Sequence, residues 1–285
     1  MSIEPRTRRH TLRAGHTLVA DHWGDESEDA VLFLHGGGQT RHSWGGTAKR
    51  LAEAGRYTIT LDLRGHGESD WTTDGHYQLR TFAEDASELL ETLGLRPALV
   101  GASLGGMTGV MLEGDQRPGA ISALVLVDIV PRMNPAGADR VKEFMLAHAR
   151  SGFGSLEEVA DAIAVYNPHR PRPKDLSGLE KNLRKRGDRW YWHWDPEFIE
   201  LGMSEPTREI RDPDLMSQVM ARIDVPVLLV RGKMSDLVTA EGAESFLQEH
   251  PGAEFVDVSG AGHMVAGDKN DVFTAAVVDF LDRDR

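Results

Sequence analysis

The tightest constraint on this chain is a set of short apolar runs that each end in loop-forming residues. VLFLH at 31–35 runs into Gly36-Gly37-Gly38, and YTITLD at 57–62 runs into the loop Arg64-Gly65-His66-Gly67-Glu68-Ser69. PALVGA at 97–102, ISALVLVD at 121–128, VPVLLVRG at 225–232 and AEFVDV at 253–258 repeat the pattern. A strand covered on both faces reads as a continuous run, not as an alternation. Helical periods lie between the runs. In 78–93, Leu79, Phe82, Ala83, Ala86, Leu89, Leu90 and Leu93 share one face, and Gly94 ends the helix. Further helices are expected near 240–250 and 271–282, the last with Asn270 or Asp271 as its N-cap. Strand, helix, strand, helix is the sequence form of a parallel sheet joined by crossovers. Two extended patterns about Ala14-Gly15, within 7–22, predict a β-hairpin ahead of it.

The pattern breaks near Pro131 and resumes near residue 222. Residues 132–221 hold no apolar strand run; they carry helical periods, prolines and the cluster Trp190-Tyr191-Trp192-His193-Trp194. The expected organisation is a core of 1–131 and 222–285 interrupted by a mostly helical insertion, 132–221.

Gly101-Ala102-Ser103-Leu104-Gly105 matches G-x-S-x-G between a buried strand and a helix. That context predicts a sharp turn presenting Ser103 as a nucleophile. Its small flanking residues let the backbone turn, and the helix N-terminus places positive dipole beside a developing oxyanion. A serine hydroxyl needs a base. His263, in Gly260-Ala261-Gly262-His263-Met264 after the strand 253–258, is the expected base. The acid that orients it is expected to be Asp236, in the loop after VPVLLVRG; Asp128, after ISALVLV, is the rival position. Asp236 is favoured because it lies on the strand just before the histidine-bearing one. The oxyanion donors are expected to be the amides of Leu104 and Gly37. No Gly-Lys-Ser/Thr follows the glycine run, so a phosphate-binding P-loop is excluded. His35 reads as structural, because its side chain must leave the amide cradle open. Candidate pocket residues are Gly38, Trp44, Trp190, Trp192 and Trp194, with burial in the core of the insertion as the competing reading for the aromatic cluster.

With these residues in place, the sequence resembles the α/β-hydrolase superfamily over almost its whole length. The matching segments are His35-Gly36-Gly37-Gly38, Asp62 to Ser69, the turn 101–105, and the Asp236 and His263 loops. The resemblance implies an α/β fold with a mostly parallel eight-stranded sheet flanked by helices, and a helical cap inserted after strand 6. Within the superfamily the chain is similar to carboxylesterases, cofactor-free haloperoxidase or perhydrolase-like proteins, and C–C hydrolases. That implies acyl-enzyme chemistry without a cofactor, of the carboxylesterase type (EC 3.1.1). Relatives with epoxide hydrolase or haloalkane dehalogenase activity carry Asp at the nucleophile, where this chain has Ser103. Many relatives also carry proline soon after the His-Gly pair, where this chain has Gly38-Gln39. The alternatives are a C–C hydrolase of ring-cleavage products, a perhydrolase, and a small-molecule receptor on the same fold.

Composition bounds the partners. The formal net charge of −13 disfavours nucleic acid and anionic membranes, leaving a small-molecule substrate as the expected partner. The densest basic run is Arg184, Lys185, Arg186 and Arg189, read either as a solvated helix end or as a lure for an anionic substrate. There is no cysteine, so thiolate nucleophiles and cysteine metal sites are excluded, and no other metal motif is present. The charged N-terminus lacks a signal peptide, and no apolar run reaches spanning length, so a cytoplasmic protein is expected. A homo-oligomer is compatible with the sequence.

Overall fold

In a computed structural model, residues 3–27, 29–72, 75–168, 172, 174–200, 212–263, 265 and 270–283 are described. The apolar runs form the strands β3 (Ala30–Leu34), β4 (Tyr57–Asp62), β5 (Ala98–Ala102), β6 (Ala123–Val127), β9 (Val227–Gly232) and β10 (Glu254–Val258). They are preceded by the hairpin β1 (Arg6–Thr11) and β2 (Thr17–Trp23). All eight lie in one sheet ordered β1-β2-β4-β3-β5-β6-β9-β10, antiparallel at β1/β2 and β2/β4 and parallel elsewhere. Strands β3, β4, β6 and β9 are buried along their whole length, as continuous apolar runs require.

Side chains alternate between the two faces, so each strand feeds two cores. Leu32 and Leu34 face one core; Val31 and Phe33 face the other. The first core is covered by α2 (Leu79–Leu93), α3 (Leu104–Met111), α7 (Pro213–Met220) and α8 (Ala240–Glu249). The second is covered by α1 (Gly45–Glu53) and α9 (Asn270–Arg283). Helix α2 ends where the sequence places its stop, with Gly94 at φ 65°. Among the described residues no helix is long and apolar enough to cross a membrane.

Between β6 and β9 lie α4 (Pro135–Leu146), α5 (Leu156–Tyr166), a 3-10 turn (Ser177–Asn182), α6 (Pro196–Glu200) and α7. The segment is less helical than its periodicity predicts. Leu183–Arg186 and Arg189–Trp192 pair as an antiparallel hairpin, β7 and β8. Only Leu183 and Trp192 of these eight residues are buried. The last helix, α7, packs on the turn that follows α3, where Val219 lies against Gly114, and so belongs in packing terms with the sheet layer.

The turn between β5 and α3 is closely packed. Ser103 sits at φ 46°, a conformation rare for a residue with a side chain. It is held there because α3 presses onto β3 and β5. A Cβ at Gly105 would stand 2.3 Å from the Leu34 carbonyl oxygen, and one at Gly101 would stand 2.5 Å from the Gly105 backbone. Gly105→Ala should therefore cost about 1–3 kcal/mol through forced separation of α3 from β3. The expected readout is a melting temperature several degrees lower in a circular dichroism scan; an unchanged melt would show that this packing is not tight.

Candidate active site

The functional candidates gather at the carboxyl ends of the parallel strands. Gly36–Gly38 follow β3, Ser103 follows β5, Asp128 follows β6, and His263 lies on the loop after β10. Ser103, Leu104, Gly36, Gly37, Gly38 and His263 line one cavity of about 570 Å³. Ser103 and His263 are half-buried there, and Leu104 is the first residue of α3, whose amide has no intrahelical acceptor.

The acid differs from the sequence expectation. His263 Nδ1 donates to Asp128 Oδ2 at 2.7 Å. Asp128 is fully buried at φ 50°, and its carboxylate also accepts from the Gly232 amide at 2.9 Å and the Ser235 hydroxyl at 2.5 Å. Asp236 points away: its side chain is 41% exposed and pairs with Arg140 of α4 at 2.9 Å. The loop after β9 thus supplies Ser235, which bonds Asp128, and not the carboxylate partner of His263. The legible signal was an aspartate ending a fully apolar strand beside the serine-bearing one, which is where Asp128 stands.

The glycine loop is wired by its own hydrogen bonds. The Gly36 amide donates to Gln39 Oε1 at 3.1 Å, the Gln39 amide to the Gly36 carbonyl at 3.1 Å, and the Gly38 amide to His66 Nε2 at 3.1 Å. Gly37 is the loop residue whose amide has no partner among the described residues. Gln39, at the position where relatives carry proline nearby, serves this loop through its side chain.

Three buried histidines carry that wiring. His35 Nδ1 donates to the Gly36 carbonyl and Nε2 accepts the Leu63 amide, a structural role as its position suggests. His66 Nδ1 donates to the Arg64 carbonyl while Nε2 accepts the Gly38 amide. His193, from the insertion, accepts the Gly67 amide on Nδ1 at 2.7 Å and donates from Nε2 to the Gly38 carbonyl at 3.3 Å. Gly38 is therefore clamped at both its amide and its carbonyl. Each ring uses one nitrogen as donor and one as acceptor, which only the neutral form can do. Burial lowers His35 to about 4 and His66 to about 3, and drives His193 well below its ordinary value. His66 and His193 escaped the sequence reading as site residues; the loop motif contained one and the aromatic cluster the other, but no spacing ties them to Gly38.

The cavity wall is aromatic. Tyr166 stacks on Phe144 at 4.2 Å, Phe144 meets Trp192 at 5.8 Å, and Trp192 stacks on Trp194 at 4.7 Å. Trp194 and Met145 then reach Gly38. Two predicted pocket residues lie elsewhere. Trp44 is buried between Phe33 and Phe273 in the core on the opposite face of the sheet. Trp190 packs on the hairpin, under Lys185 and beside Phe153, one strand repeat short of Trp192 and outside the cavity. Gly38, Trp192 and Trp194 do line the cavity.

Comparison with known proteins agrees with this architecture. The family described as alpha/beta hydrolase fold matches residues 29–269. An esterase of Mycobacterium tuberculosis is 31% identical over 234 residues, covering 80% of this chain and 73% of its own. A 2-(acetamidomethylene)succinate hydrolase of Mesorhizobium japonicum is 30% identical over 261 residues, covering 88% and 87%. Among solved structures, an E-2-(acetamidomethylene)succinate hydrolase superposes with a TM-score of 0.85 at 24% identity, over 98% of this chain and 100% of the other.

The histidine clamp makes stability acid-sensitive. The three folded-state values lie below the unfolded value of about 6.5, so the unfolded chain binds more protons in the interval between them. The stability they contribute is complete above pH ~6.5 and is lost as the pH falls toward ~4, at up to about 1.4 kcal/mol per pH unit for each ring. Urea melts from pH 7.5 to 4.5 should show this decline, with a shallower slope in His193→Gln. Equal slopes for both proteins would mean that His193 is not held neutral.

Proposed function

The chain belongs to the α/β-hydrolase family, and on that footing we propose that it is a serine hydrolase cleaving a small or medium ester or lactone through an acyl-enzyme. One observation carries the reading: a buried carboxylate, Asp128, holds the imidazole of His263 at the edge of an apolar cavity that also receives the strained Ser103. Ser103 Oγ attacks the carbonyl carbon while His263 Nε2 takes its proton. The Asp128 bond to Nδ1 fixes the tautomer that leaves Nε2 free to accept, and stabilises the imidazolium that forms. The amides of Leu104 and Gly37 receive the oxyanion. His263 then protonates the departing oxygen, and water repeats the sequence on the acyl-enzyme.

The wall favours an apolar acyl group, since Phe144, Met145, Trp192, Trp194 and Phe198 surround the space beside Ser103. Among the described residues, Arg172 is the only lysine or arginine lining the cavity, and it is bonded to Asp161 at 2.8 Å. A dicarboxylate such as the one named for the Mesorhizobium relative therefore meets no free counter-charge among the described residues of this cavity.

A chain-length series of p-nitrophenyl esters tests the assignment. Ser103→Ala should lower kcat by several orders of magnitude, and wild-type rates in that variant would end the proposal. Asp128→Asn should cost about 10³- to 10⁴-fold in kcat by stabilising the wrong tautomer. Asp236→Asn, which loses only an exposed pair with Arg140, should stay within a fewfold of wild type. The opposite order of the two aspartate variants would return the acid's role to Asp236.

A further inference from the structure

Resting on the hydrolase reading above, we propose that the preferred substrate is an acyl ester or thioester whose leaving group carries phosphate on a spacer, with the phosphate held by one face of the β7–β8 hairpin. Residues 180–189 carry five cations, Lys181, Arg184, Lys185, Arg186 and Arg189, against Glu180 and Asp188, in a chain whose net charge is −13. Elsewhere the arginines mostly sit on carboxylates, as Arg41, Arg56, Arg64 and Arg80 do. Among the described residues, no carboxylate lies within ion-pair distance of Arg184, Lys185, Arg186 or Arg189.

Strand geometry sorts these cations. Arg184 pairs with Tyr191 and Arg186 with Arg189 across the hairpin, so these four share a face, while Lys185 lies opposite with Trp190. On the shared face Arg186 stacks between Trp71 and Tyr191, at 5.2 and 5.4 Å from their ring centres, and Arg184 lies 4.9 Å from Trp71. Arg184 also donates to the Gly67 carbonyl, and Arg189 to the carbonyls of Ser151 and Gly152. Stacking fixes a guanidinium plane without neutralising it and leaves its in-plane N–H fork available, the arrangement that suits phosphate. Arg186 and Trp71 also line a shallow pocket together with Arg150, Asp195 and Glu197. The Asp195 carboxylate there is occupied by the Tyr77 hydroxyl and the Glu197 amide.

The hairpin grows from the wall of the catalytic cavity. Asn182, just before β7, lines it, and Trp192, the end of β8, lines it from the hairpin face opposite Arg184 and Arg186. Arg186 is four residues beyond Asn182, about 13 Å at strand spacing. An acyl chain in the aromatic cavity and a phosphate on Arg186 thus require a leaving group with a spacer of that order. The reaction balances as ordinary hydrolysis: the Ser103 oxygen displaces the thiolate or alkoxide, which takes the serine's proton by way of His263, and water then frees the acid.

Decanoyl-coenzyme A, 1-decanoyl lysophosphatidate and p-nitrophenyl decanoate share an acyl chain and differ in leaving group. The expected result is a higher kcat/KM for one of the phosphate-bearing substrates, the coenzyme A thioester if the long spacer matters, with KM rising as salt goes from 50 to 500 mM. Arg186→Glu should lower the ratio of kcat/KM for that substrate to kcat/KM for the neutral ester about tenfold, and Arg186→Met by less. Lys185→Glu changes net charge identically on the opposite face and should lower the ratio by less than Arg186→Glu. Equal effects from Arg186→Glu and Lys185→Glu, or no salt dependence, would overturn the proposal while turnover of the neutral ester left the hydrolase reading standing. In Ser103→Ala, which cannot turn over, coenzyme A alone should quench tryptophan fluorescence with an affinity weakened by Arg186→Glu. No binding at millimolar coenzyme A and none of dodecyl phosphate would overturn the proposal even if no substrate were hydrolysed; tight binding of the protein to anionic vesicles instead would assign the face to a membrane surface.

Discussion

The site depends on how closely α3 is allowed to approach β3. Gly105, in the first turn of that helix, rests against the Leu34 carbonyl, and Gly101 rests against the Gly105 backbone. Leu34 is also two residues upstream of Gly36, where the chain leaves the sheet as the glycine loop. One close contact therefore sets both the strained turn at Ser103 and the separation between the Leu104 amide and the Gly37 amide. A side chain at Gly105 would lift the helix and move the Leu104 amide and Ser103 away from the glycine loop. This is why glycines stand two residues to either side of the serine; the positive φ at Ser103 is sustained by the packing of α3 on β3 and β5.

The second constraint is electrostatic. Gly38 is gripped through its amide by His66 and through its carbonyl by His193, and both rings must stay neutral to do so. Their burial, together with that of His35, keeps them neutral well below the pH at which an exposed histidine charges. Because His193 belongs to the segment between β6 and β9, the segment that walls the cavity is hydrogen-bonded directly to the loop that faces Ser103. Seating of that wall and shape of the loop are one event, and acid should loosen both together.

Much of the sheet was legible because burial on both faces leaves an unbroken apolar run, and the six runs are strands within a residue or two. The serine turn was legible because glycines at 101 and 105, between a buried strand and a helix, mark a close approach of backbones. The β7–β8 hairpin was not legible, since its alternation is masked by Arg184, Lys185 and Arg186, and only its base, Leu183 and Trp192, is buried. Trp44 was misplaced because proximity along the chain to the glycine loop says nothing about which face of the sheet a ring will cover; Trp190 belongs to an aromatic cluster of which Trp192 and Trp194 line the cavity and Trp190 does not. His193 was invisible as a partner of Gly38, which lies 155 residues away.

The exchange of Asp236 for Asp128 follows from the sheet order. Strand β6 lies directly beside β5, and the Ser103 amide donates to the carbonyl of Val127 at 3.3 Å. The residue after Val127 is Asp128, so the serine and the carboxylate hang from one backbone hydrogen bond, and only the imidazole has to arrive from a distant loop. The loop after β9 is meanwhile covered by α4: the Asn134 amide donates to the Leu237 carbonyl at 2.9 Å, and a Cβ at Gly137 would stand 2.3 Å from the Asp236 carbonyl oxygen. That packing fixes the Asp236 backbone and turns its side chain outward to Arg140. Ser235, one residue earlier, is left facing Asp128. An acid at 236 would need α4 to withdraw, whereas an acid at 128 needs only the positive φ that the end of β6 already has.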